Sequence, residues 1–197
     1  MGNTSNTGGF LTPAGSPAPL EDDALDAAFQ RTVVGITGLP GNLVRPRWQT
    51  VSPIQPEPTT DWCGIGIMVQ TADAGPSINH DPAGFGEDHY QRHEDIEVLA
   101  SFYGPHSMSY AATFRDGVAI PQNCEGLNAD GISFVESGPI RGVPELINQQ
   151  WIRRYDLIAR FRRMVSRTYA VQNVLLADVH LIDDTHVDEL IHVPPAP

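Results

Sequence analysis

The stretch PELINQQWIRRYDLIARFRRMVSRTY, residues 144–169, decides how this 197-residue sequence folds. Successive side chains of a β-strand point to opposite faces, so a strand that is half buried alternates apolar and polar residues. Positions 151–165 show that alternation, which predicts one long strand with an apolar face turned to the core. This face would carry Trp151, Tyr155, Leu157, Ala159, Phe161 and Val165.

The opposite, even-numbered face of this strand carries Arg154, Asp156, Arg160 and Arg162. Arg153 and Arg163 break the odd pattern and indicate a bulge, or strand ends that extend beyond the core. The chain has no lysine, and half of its twelve arginines lie in the quoted stretch. Two interpretations stay open. The arginines could pair with local acids such as Asp95 and Glu97 and keep the surface hydrated, or they could form a protein-interaction surface.

Strand and helix patterns on either side predict the remaining elements. We expect an α+β fold, with a single mostly antiparallel β-sheet and two or more helices packed on it. The buried side chains should include Ile65, Ile67, Phe102, Phe114, Leu157 and Phe161, and one strand face should join Cys63, Ile65, Ile67 and Val69. The strands are expected at 43–49 (an edge strand, because of Pro46), 62–72, 89–103, 132–136 and 151–165, the helices at 22–37 and 107–119, and a long loop at 73–88.

Composition divides the chain into three parts. Residues 1–20 are rich in Gly, Ser, Thr and Pro and predict a disordered arm. Residues 21–170 hold the patterned α+β domain, and residues 171–197 form a C-terminal extension. We expect this extension to order against a neighbouring chain, by adding a strand through residues 174–182.

Catalytic motifs are not evident in the sequence. The lack of lysine excludes a P-loop lysine and a Schiff-base lysine, and Cys63 and Cys124 suit buried thiols rather than a disulfide. His89 and His93 would share a face only on a helix, whereas their segment alternates like a strand. We therefore predict no catalytic residue, no cofactor and no metal site. A small metal-dependent enzyme that uses His89 and His93 remains the alternative from another class.

The charge distribution favours protein partners over nucleic acid. The formal net charge is −12, and a surface of that sign repels DNA phosphates. The arginines of residues 144–169, which we call the arginine-rich strip, are the positively charged exception. Within this strip we predict the partner-interface residues Arg154, Arg160, Arg162 and Arg163. No apolar run has the length of a membrane span, so no membrane association is expected.

Several longer stretches resemble the phage neck terminator family, relatives of the tail terminator proteins of tailed bacteriophages. They are ALDAAFQRTVVGITGLPGNLVRPRWQ, DWCGIGI, HEDIEVLASFYGPHSMSYAATFRDGVAIPQN and GISFVESGPIRGVPELINQQWIRRYDLIARFRR, within residues 24–169. The resemblance implies a small structural subunit in the virion neck, present in the host cytoplasm during assembly. It also implies a ring, usually of six copies, that caps the tail tube.

This resemblance implies further partners for the ring. They are other copies of the chain, the tail tube, a sheath if the tail is contractile, and the head–tail connector proteins. The genome would pass through the ring without sequence-specific recognition. A head-completion or baseplate component is the alternative within structural proteins.

Overall fold

The computed structural model describes residues 3–14, 17–49, 51, 54–147, 149–173, 177–182 and 188–193. The helices are α1 (Asp22–Thr37), α2 (Ser107–Val118) and α3 (Glu125–Ala129), with 3₁₀ turns at Gly41–Leu43 and Pro121–Cys124. The strands are β1 (Val44–Pro46), β2 (Trp62–Ala72), β3 (Ser77–Asp81), β4 (Glu87–Tyr103), β5 (Ile132–Ser137), β6 (Arg141–Gly142), β7 (Glu145–Ile147), β8 (Gln150–Ile152), β9 (Arg154–Tyr169), β10 (Ala177–Ile182) and β11 (Asp188–Val193).

These elements form two compact units. The larger unit comprises the described parts of Ala18–Pro76 and Gln91–Val165. The smaller unit comprises the described parts of Met1–Pro17, Ser77–Tyr90 and Ser166–Pro197.

The main sheet of the larger unit has the strand order β1-β2-β4-β9-β5. β2 pairs antiparallel with β4, with Cys63 opposite Phe102, and β5 pairs antiparallel with β9, with Phe134 opposite Phe161. Only the short edge strand β1 is shown to pair parallel, with β2. The predicted α+β fold with a mostly antiparallel sheet is therefore confirmed.

The helices bury their apolar stripes against one face of this sheet. Phe29 of α1 packs on Phe161 of β9 with ring centroids 4.9 Å apart, and Phe114 of α2 lies 6.0 Å from Phe102 of β4. Each of these four rings is almost fully buried, which stabilises the fold by about 1.5–3 kcal/mol per side chain. Five of the six predicted core residues are buried, and Ile67 is partly buried and packs against the same core.

The edge strand β1 is protected from pairing with another chain. Pro46 has no backbone N–H to donate, as the sequence predicted for an edge. The Gln30 side chain also donates hydrogen bonds to the carbonyl oxygens of Gly41, at 3.1 Å, and Val44, at 2.6 Å. β1 therefore offers fewer free backbone groups to another strand, because Pro46 lacks a donor and the carbonyl oxygen of Val44 already accepts a hydrogen bond.

Three predicted details of the sheet are wrong. The register of β2 shifts between Ile67 and Val69, so Val69 turns outward and is exposed. Trp151 lies on β8, which pairs with β7 in a separate two-stranded sheet, and it is 71% exposed while Ile152 is buried. The break at Arg153 separates β8 from β9, so the odd–even pattern does not carry across it. The predicted loop at 73–88 contains β3, which pairs with β4.

The terminal segments lie in the smaller unit. Ser5 and Ala14 donate backbone hydrogen bonds to the carbonyl oxygens of Ala170, at 3.2 Å, and Thr168, at 2.8 Å. The strand predicted at 174–182 begins outside the described residues, and its described part, β10, pairs antiparallel with β11 of the same chain. Its ordering against a neighbouring chain stays a prediction.

Candidate functional site

The face of the main sheet opposite the helices carries the arginines singled out by the sequence. We call it the uncovered face. It comprises the alternate side chains of two adjacent strands, Asp95, Glu97, Leu99, Ser101 and Tyr103 of β4 and Arg154, Asp156, Ile158, Arg160 and Arg162 of β9. The core positions of both strands lie between these residues and point to the helices.

Arg162 joins two neighbouring segments of the larger unit. Its guanidinium donates to Asp95 at 2.9 Å and to Asp73 at 2.8 Å. The hydrogen bond to Asp95, supported by that to Asp73, raises the pKa of Arg162 further above its ordinary value. Because the side chain is 40% exposed, water screens both pairs and each contributes little to stability.

Arg154 is held more tightly and is largely withdrawn from solvent. Its guanidinium bonds both carboxylate oxygens of Asp156, at 2.8 and 2.9 Å, and lies 5.5 Å from the centroid of the Tyr103 ring. Burial lowers the pKa of Arg154, but the hydrogen bond to Asp156 and the nearby charges outweigh it and the net pKa is raised. Glu145 lies 3.5 Å away and adds a second carboxylate.

A polar network extends from this pair across the sheet. The buried hydroxyl of Ser101 donates to Asp156 at 2.5 Å and accepts a short hydrogen bond from Arg47. The network therefore links the chain beyond β1 to the central strands β4 and β9. Gly66 leaves room for the Arg47 side chain, since a Cβ at this position would lie 3.1 Å from it.

Arg160 pairs with Glu136 of β5 at 3.0 Å and keeps 41% of its side-chain surface exposed. Beside it, Ile158 is also exposed, and a cavity of about 420 Å³ opens between these two residues and Leu99. The centre of the uncovered face thus combines an apolar patch with a charged pair. Such a mixture is common at the contact surfaces of proteins.

Arg163 does not lie on this face. Its side chain is 3% exposed and points to the core side, where it donates to Glu94 at 3.0 Å, to Glu21 at 3.1 Å and to the carbonyl oxygen of Leu20 at 2.6 Å. Arg163 therefore breaks the alternation because a charged residue occupies a core-facing position. The strand neither bulges nor extends beyond the core at this residue. As a buried residue with internal partners, it is not available to a partner protein in this structure.

All four predicted interface arginines have carboxylate partners within the chain. The expectation that acids such as Asp95 pair with the strip is confirmed for Arg162, whereas Glu97 is not among the ion pairs found in the described residues. The surface is therefore close to charge-balanced, as in the interpretation that paired the arginines with local acids. The sequence alone could not show that Glu136 of β5 and Asp73, which follows β2, would pair with these arginines.

An aromatic cavity of about 360 Å³ lies at the β1 side of the larger unit. Trp62 and Tyr103 stack nearly parallel beside it, with centroids 4.0 Å apart and planes at 4°. Trp48 also lines the cavity and is 67% exposed. Gly64 also lines the cavity, and a Cβ added there would make only an ordinary contact with the Trp62 ring, at 3.6 Å.

The smaller unit holds a histidine that joins two segments. His80 Nδ1 lies 2.7 Å from Asp88, and its Nε2 lies 2.7 Å from the side-chain oxygen of Asn173. The hydrogen bond to Asp88, followed by that to Asn173, raises the pKa of His80 above its ordinary value. These contacts connect the β3–β4 hairpin to the chain that follows β9.

His89 and His93, the pair named for the alternative metal-dependent enzyme, do not occur together in a group of possible metal ligands among the described residues. His89 Nε2 instead lies 3.5 Å from Glu87 and 3.8 Å from Asp81, and these three residues are the group whose ligand atoms come within 4.8 Å of one another in the described chain. The side chains are close to half exposed, an arrangement typical of surface ion pairs. Cys63 and Cys124 are free and buried, as predicted, and burial raises the pKa of both thiols.

Comparison with known proteins identifies a family for this chain. Within the described residues, no helix has the length and apolar character needed to cross a membrane. No curated protein matches this sequence. Residues 23–185 match the family described as phage neck terminator protein, which covers most of the chain and includes both the sheet and its helices. The chain belongs to this family of structural neck proteins of tailed phages.

Proposed function

We propose that this protein forms a closed ring in the phage neck, most simply of six copies, that caps the tail tube and docks the tail to the head connector. The observation that carries the proposal is the family match over residues 23–185. The uncovered face of the sheet supports it, because this face combines charged pairs with the exposed side chain of Ile158. A ring requires two different complementary surfaces on each subunit, which meet head to tail.

The uncovered face supplies one of these surfaces in the proposal. Of the four predicted interface arginines, Arg160 and Arg162 are the two with substantial exposure, and both retain N–H groups that a second carboxylate could bind. Acidic side chains of a neighbouring copy, or of the tail tube, would replace water around these pairs. Arg154 would act indirectly, by holding Asp156 and the Tyr103 ring in place.

Passage of the genome does not require these arginines to bind DNA. Arg154, Arg160 and Arg162 each have a carboxylate partner, so little uncompensated positive charge remains for phosphates. A channel through which DNA slides also works better without salt-sensitive phosphate contacts. The proposed partners are therefore protein surfaces: other copies, the tail tube, the head connector and, in a contractile tail, the sheath.

The C-terminal extension, residues 171–197, serves in this proposal as a segment that orders against a neighbouring chain after synthesis in the host cytoplasm. The isolated protein is expected to be monomeric at low salt. Six copies at −12 each bring together a formal charge of 6 × −12 = −72, and this repulsion opposes ring closure.

Electron microscopy of virions tests the proposed function directly. Symmetric averages of the neck should contain a ring into which this chain fits, between the tail tube and the head connector. Averages that place the chain in the baseplate or inside the head, or that show it without rotational symmetry, would refute the ring and favour a head-completion or baseplate role.

A further inference from the structure

The aromatic cavity of the larger unit has the walls of a site for an extended, proline-rich segment. Trp48, Trp62 and Tyr103 supply flat apolar surfaces, and Pro46 and Pro56 lie beside them. A polyproline II helix exposes proline rings along its sides and packs them against aromatic side chains. The volume of about 360 Å³ lies within the range of sites that hold a small ligand or a few side chains.

The aromatic surfaces are fixed before any partner binds. Trp62 stacks on Tyr103 at 4.0 Å, and the guanidinium of Arg154 lies 5.5 Å from the centroid of the same tyrosine ring. Arg154 is in turn fixed by its two hydrogen bonds to Asp156. A partner would therefore meet rigid walls and would lose little entropy in ordering them. Trp48, which is 67% exposed, offers a large apolar ring still facing water.

The charge of the cavity favours an acidic partner. Arg45 donates to the backbone carbonyl oxygens of Asn42, at 3.0 Å, and Ile54, at 2.7 Å, rather than to a carboxylate. Arg47 donates to Ser101, and its Nε is buried with no hydrogen-bond partner in the described part of the chain. Among the lining residues only Glu145 carries the opposite charge. Two arginines thus remain at the cavity without ion pairs among the described residues.

We infer that this cavity binds the proline-rich segment of residues 193–197, VPPAP, from a second copy of the chain. Pro194 and Pro197 have the P-x-x-P spacing that polyproline II sites recognise. The sequence from 171 to 197 contains five acids and no arginine, which complements the charge at the cavity. Residues 194–197 lie outside the described residues.

The N-terminal prolines, Pro13, Pro17 and Pro19, are the rival occupant within the chain. Their segment is already attached to its own chain at both ends. The backbone N–H of Ala14 bonds Thr168 at 2.8 Å, and the carbonyl oxygen of Leu20 accepts from Arg163 at 2.6 Å. Entering a cavity of another copy would require breaking these bonds. In the C-terminal segment the described pairing ends at Val193, which lies opposite Ala177 of the same chain, and the prolines follow it. The C-terminal prolines are therefore the occupant that the contacts favour.

This inference rests on the proposed assembly of several copies and names one of its contacts. A synthetic peptide of residues 188–197, DELIHVPPAP, tests it on the full-length protein. The peptide contains no Trp, Tyr or Phe, so intrinsic tryptophan fluorescence reports the protein alone. We expect a saturable change on titration, retained in Trp151→Phe, whose tryptophan does not line the cavity.

Two substitutions identify the contact. Trp48→Ala should weaken binding of the peptide, measured by calorimetry, by about tenfold or more, as for an aromatic residue at the centre of a contact. A peptide with Pro194→Ala and Pro197→Ala should weaken to a similar extent. The full-length protein carrying the same two proline changes should bind the wild-type peptide at least as well as the unaltered protein, because its own segment no longer competes.

The outcomes distinguish a failure of this contact from a failure of the proposed ring. No binding of the wild-type peptide, or equal binding of the proline-free peptide, would overturn the inference. Tighter binding of a peptide of residues 10–20 would assign the cavity to the N-terminal segment instead and would also overturn it. A ring seen in virion necks together with a peptide that fails to bind would leave the proposed function standing and remove this contact alone.

Discussion

The guanidinium of Arg163 on β9 contacts the carboxylate of Glu94 on β4 at 3.0 Å, and both side chains are largely withdrawn from solvent. The same guanidinium bonds Leu20 and Glu21, which precede helix α1. Glu21 occupies the N-cap position of α1, but its side chain does not cap the helix. Arg163 therefore fixes where the first helix joins the sheet.

Replacing Arg163 with alanine should destabilise the larger unit strongly. The change leaves the mostly buried carboxylate of Glu94 with the hydrogen bond from Gln70 at 2.7 Å but without its cationic partner, and breaking a buried ion pair in this way costs about 3–5 kcal/mol. Urea titration followed by circular dichroism measures the loss. Arg160→Ala is the matched control, since its half-exposed pair with Glu136 should contribute less than about 1 kcal/mol. Equal losses in both variants would contradict the buried role of Arg163.

The sequence predicted the sheet because the alternation of β9 is real, with Leu157, Ala159, Phe161 and Val165 all buried. The prediction failed where the alternation of inward-facing and outward-facing side chains is interrupted. The break at Arg153 reverses the exposure expected for Trp151, and the shift after Ile67 exposes Val69. Arg153 did mark an irregularity in the pattern, but polarity alone did not show that the exposure reverses on its N-terminal side. The shift after Ile67 left no mark in the polarity pattern.

The candidate site was predicted only in part, and the cause differs from that for the sheet. Parity assigned Arg154, Arg160 and Arg162 to one face of β9, and the structure has them there. Their partners come from distant positions, as in the pair of Arg162 with Asp73. A single sequence without contacts does not indicate which acids meet which arginines. Arg163 is the opposite case, because its charged side chain occupies a core-facing position of β9. A charge at such a position indicates a partner within the chain.

Phe161→Ala tests the assignment of the core face. The Phe161 ring lies 4.9 Å from Phe29 and 5.7 Å from Phe134, measured between centroids, and is fully buried. Removing it should lower the free energy of unfolding by about 3–5 kcal/mol. The outward-facing neighbour Ile158, which is exposed, supplies the control Ile158→Ala. A loss below about 1 kcal/mol for Phe161→Ala would show that the faces are assigned wrongly.

His80 should make the smaller unit sensitive to pH. The side-chain N–H of Asn173 donates to the carbonyl oxygen of Pro82 at 2.9 Å, so its oxygen faces His80 and accepts. Since Asp88 also accepts, both ring nitrogens must donate, and only the protonated imidazole does so. The pKa of folded His80 lies above the ordinary 6.5. The contact is therefore complete below about pH 6.5 and is lost as the pH rises through the folded pKa.

Nuclear magnetic resonance measures this transition. The His80 ring and the Asn173 side-chain amide should shift together between about pH 5 and pH 9, with a common midpoint above the ordinary histidine value. In His80→Gln, which is neutral at every pH, the Asn173 signal should lose that step. If Asn173 titrates equally in both proteins, the hydrogen bonds of His80 do not govern this contact.

Removal of the C-terminal extension should separate folding from assembly. Deleting residues 174–197 keeps Asn173 and its backbone bond to Phe85, whereas deleting residues 171–197 removes both. Neither deletion touches the larger unit, so circular dichroism and the core transition should persist in both proteins. We expect both to fail in producing joined particles in a complementation assay. Normal titres from the longer deletion would show that the extension is dispensable.

The arginines of the uncovered face are tested by removing their charge rather than reversing it. In Arg160→Glu/Arg162→Glu, each new carboxylate would face Glu136, Asp73 or Asp95 and repel it, so lost assembly could reflect local strain. Arg160→Gln/Arg162→Gln avoids that repulsion and leaves the core positions untouched. Its unfolding free energy should fall by no more than about 1 kcal/mol, because exposed pairs contribute little.

The decisive measurement is the titre of infectious particles when each folded double mutant complements a phage that lacks the protein. If Arg160 and Arg162 bind acids of a neighbouring subunit or of the tail tube, the glutamine mutant should yield unjoined heads and tails, and the glutamate mutant should be worse. Arg115→Gln is the matched control, since Arg115 is an exposed arginine of α2 that pairs with the adjacent Asp116. Wild-type titres from the folded glutamine mutant would mean that Arg160 and Arg162 serve only their pairs within the chain.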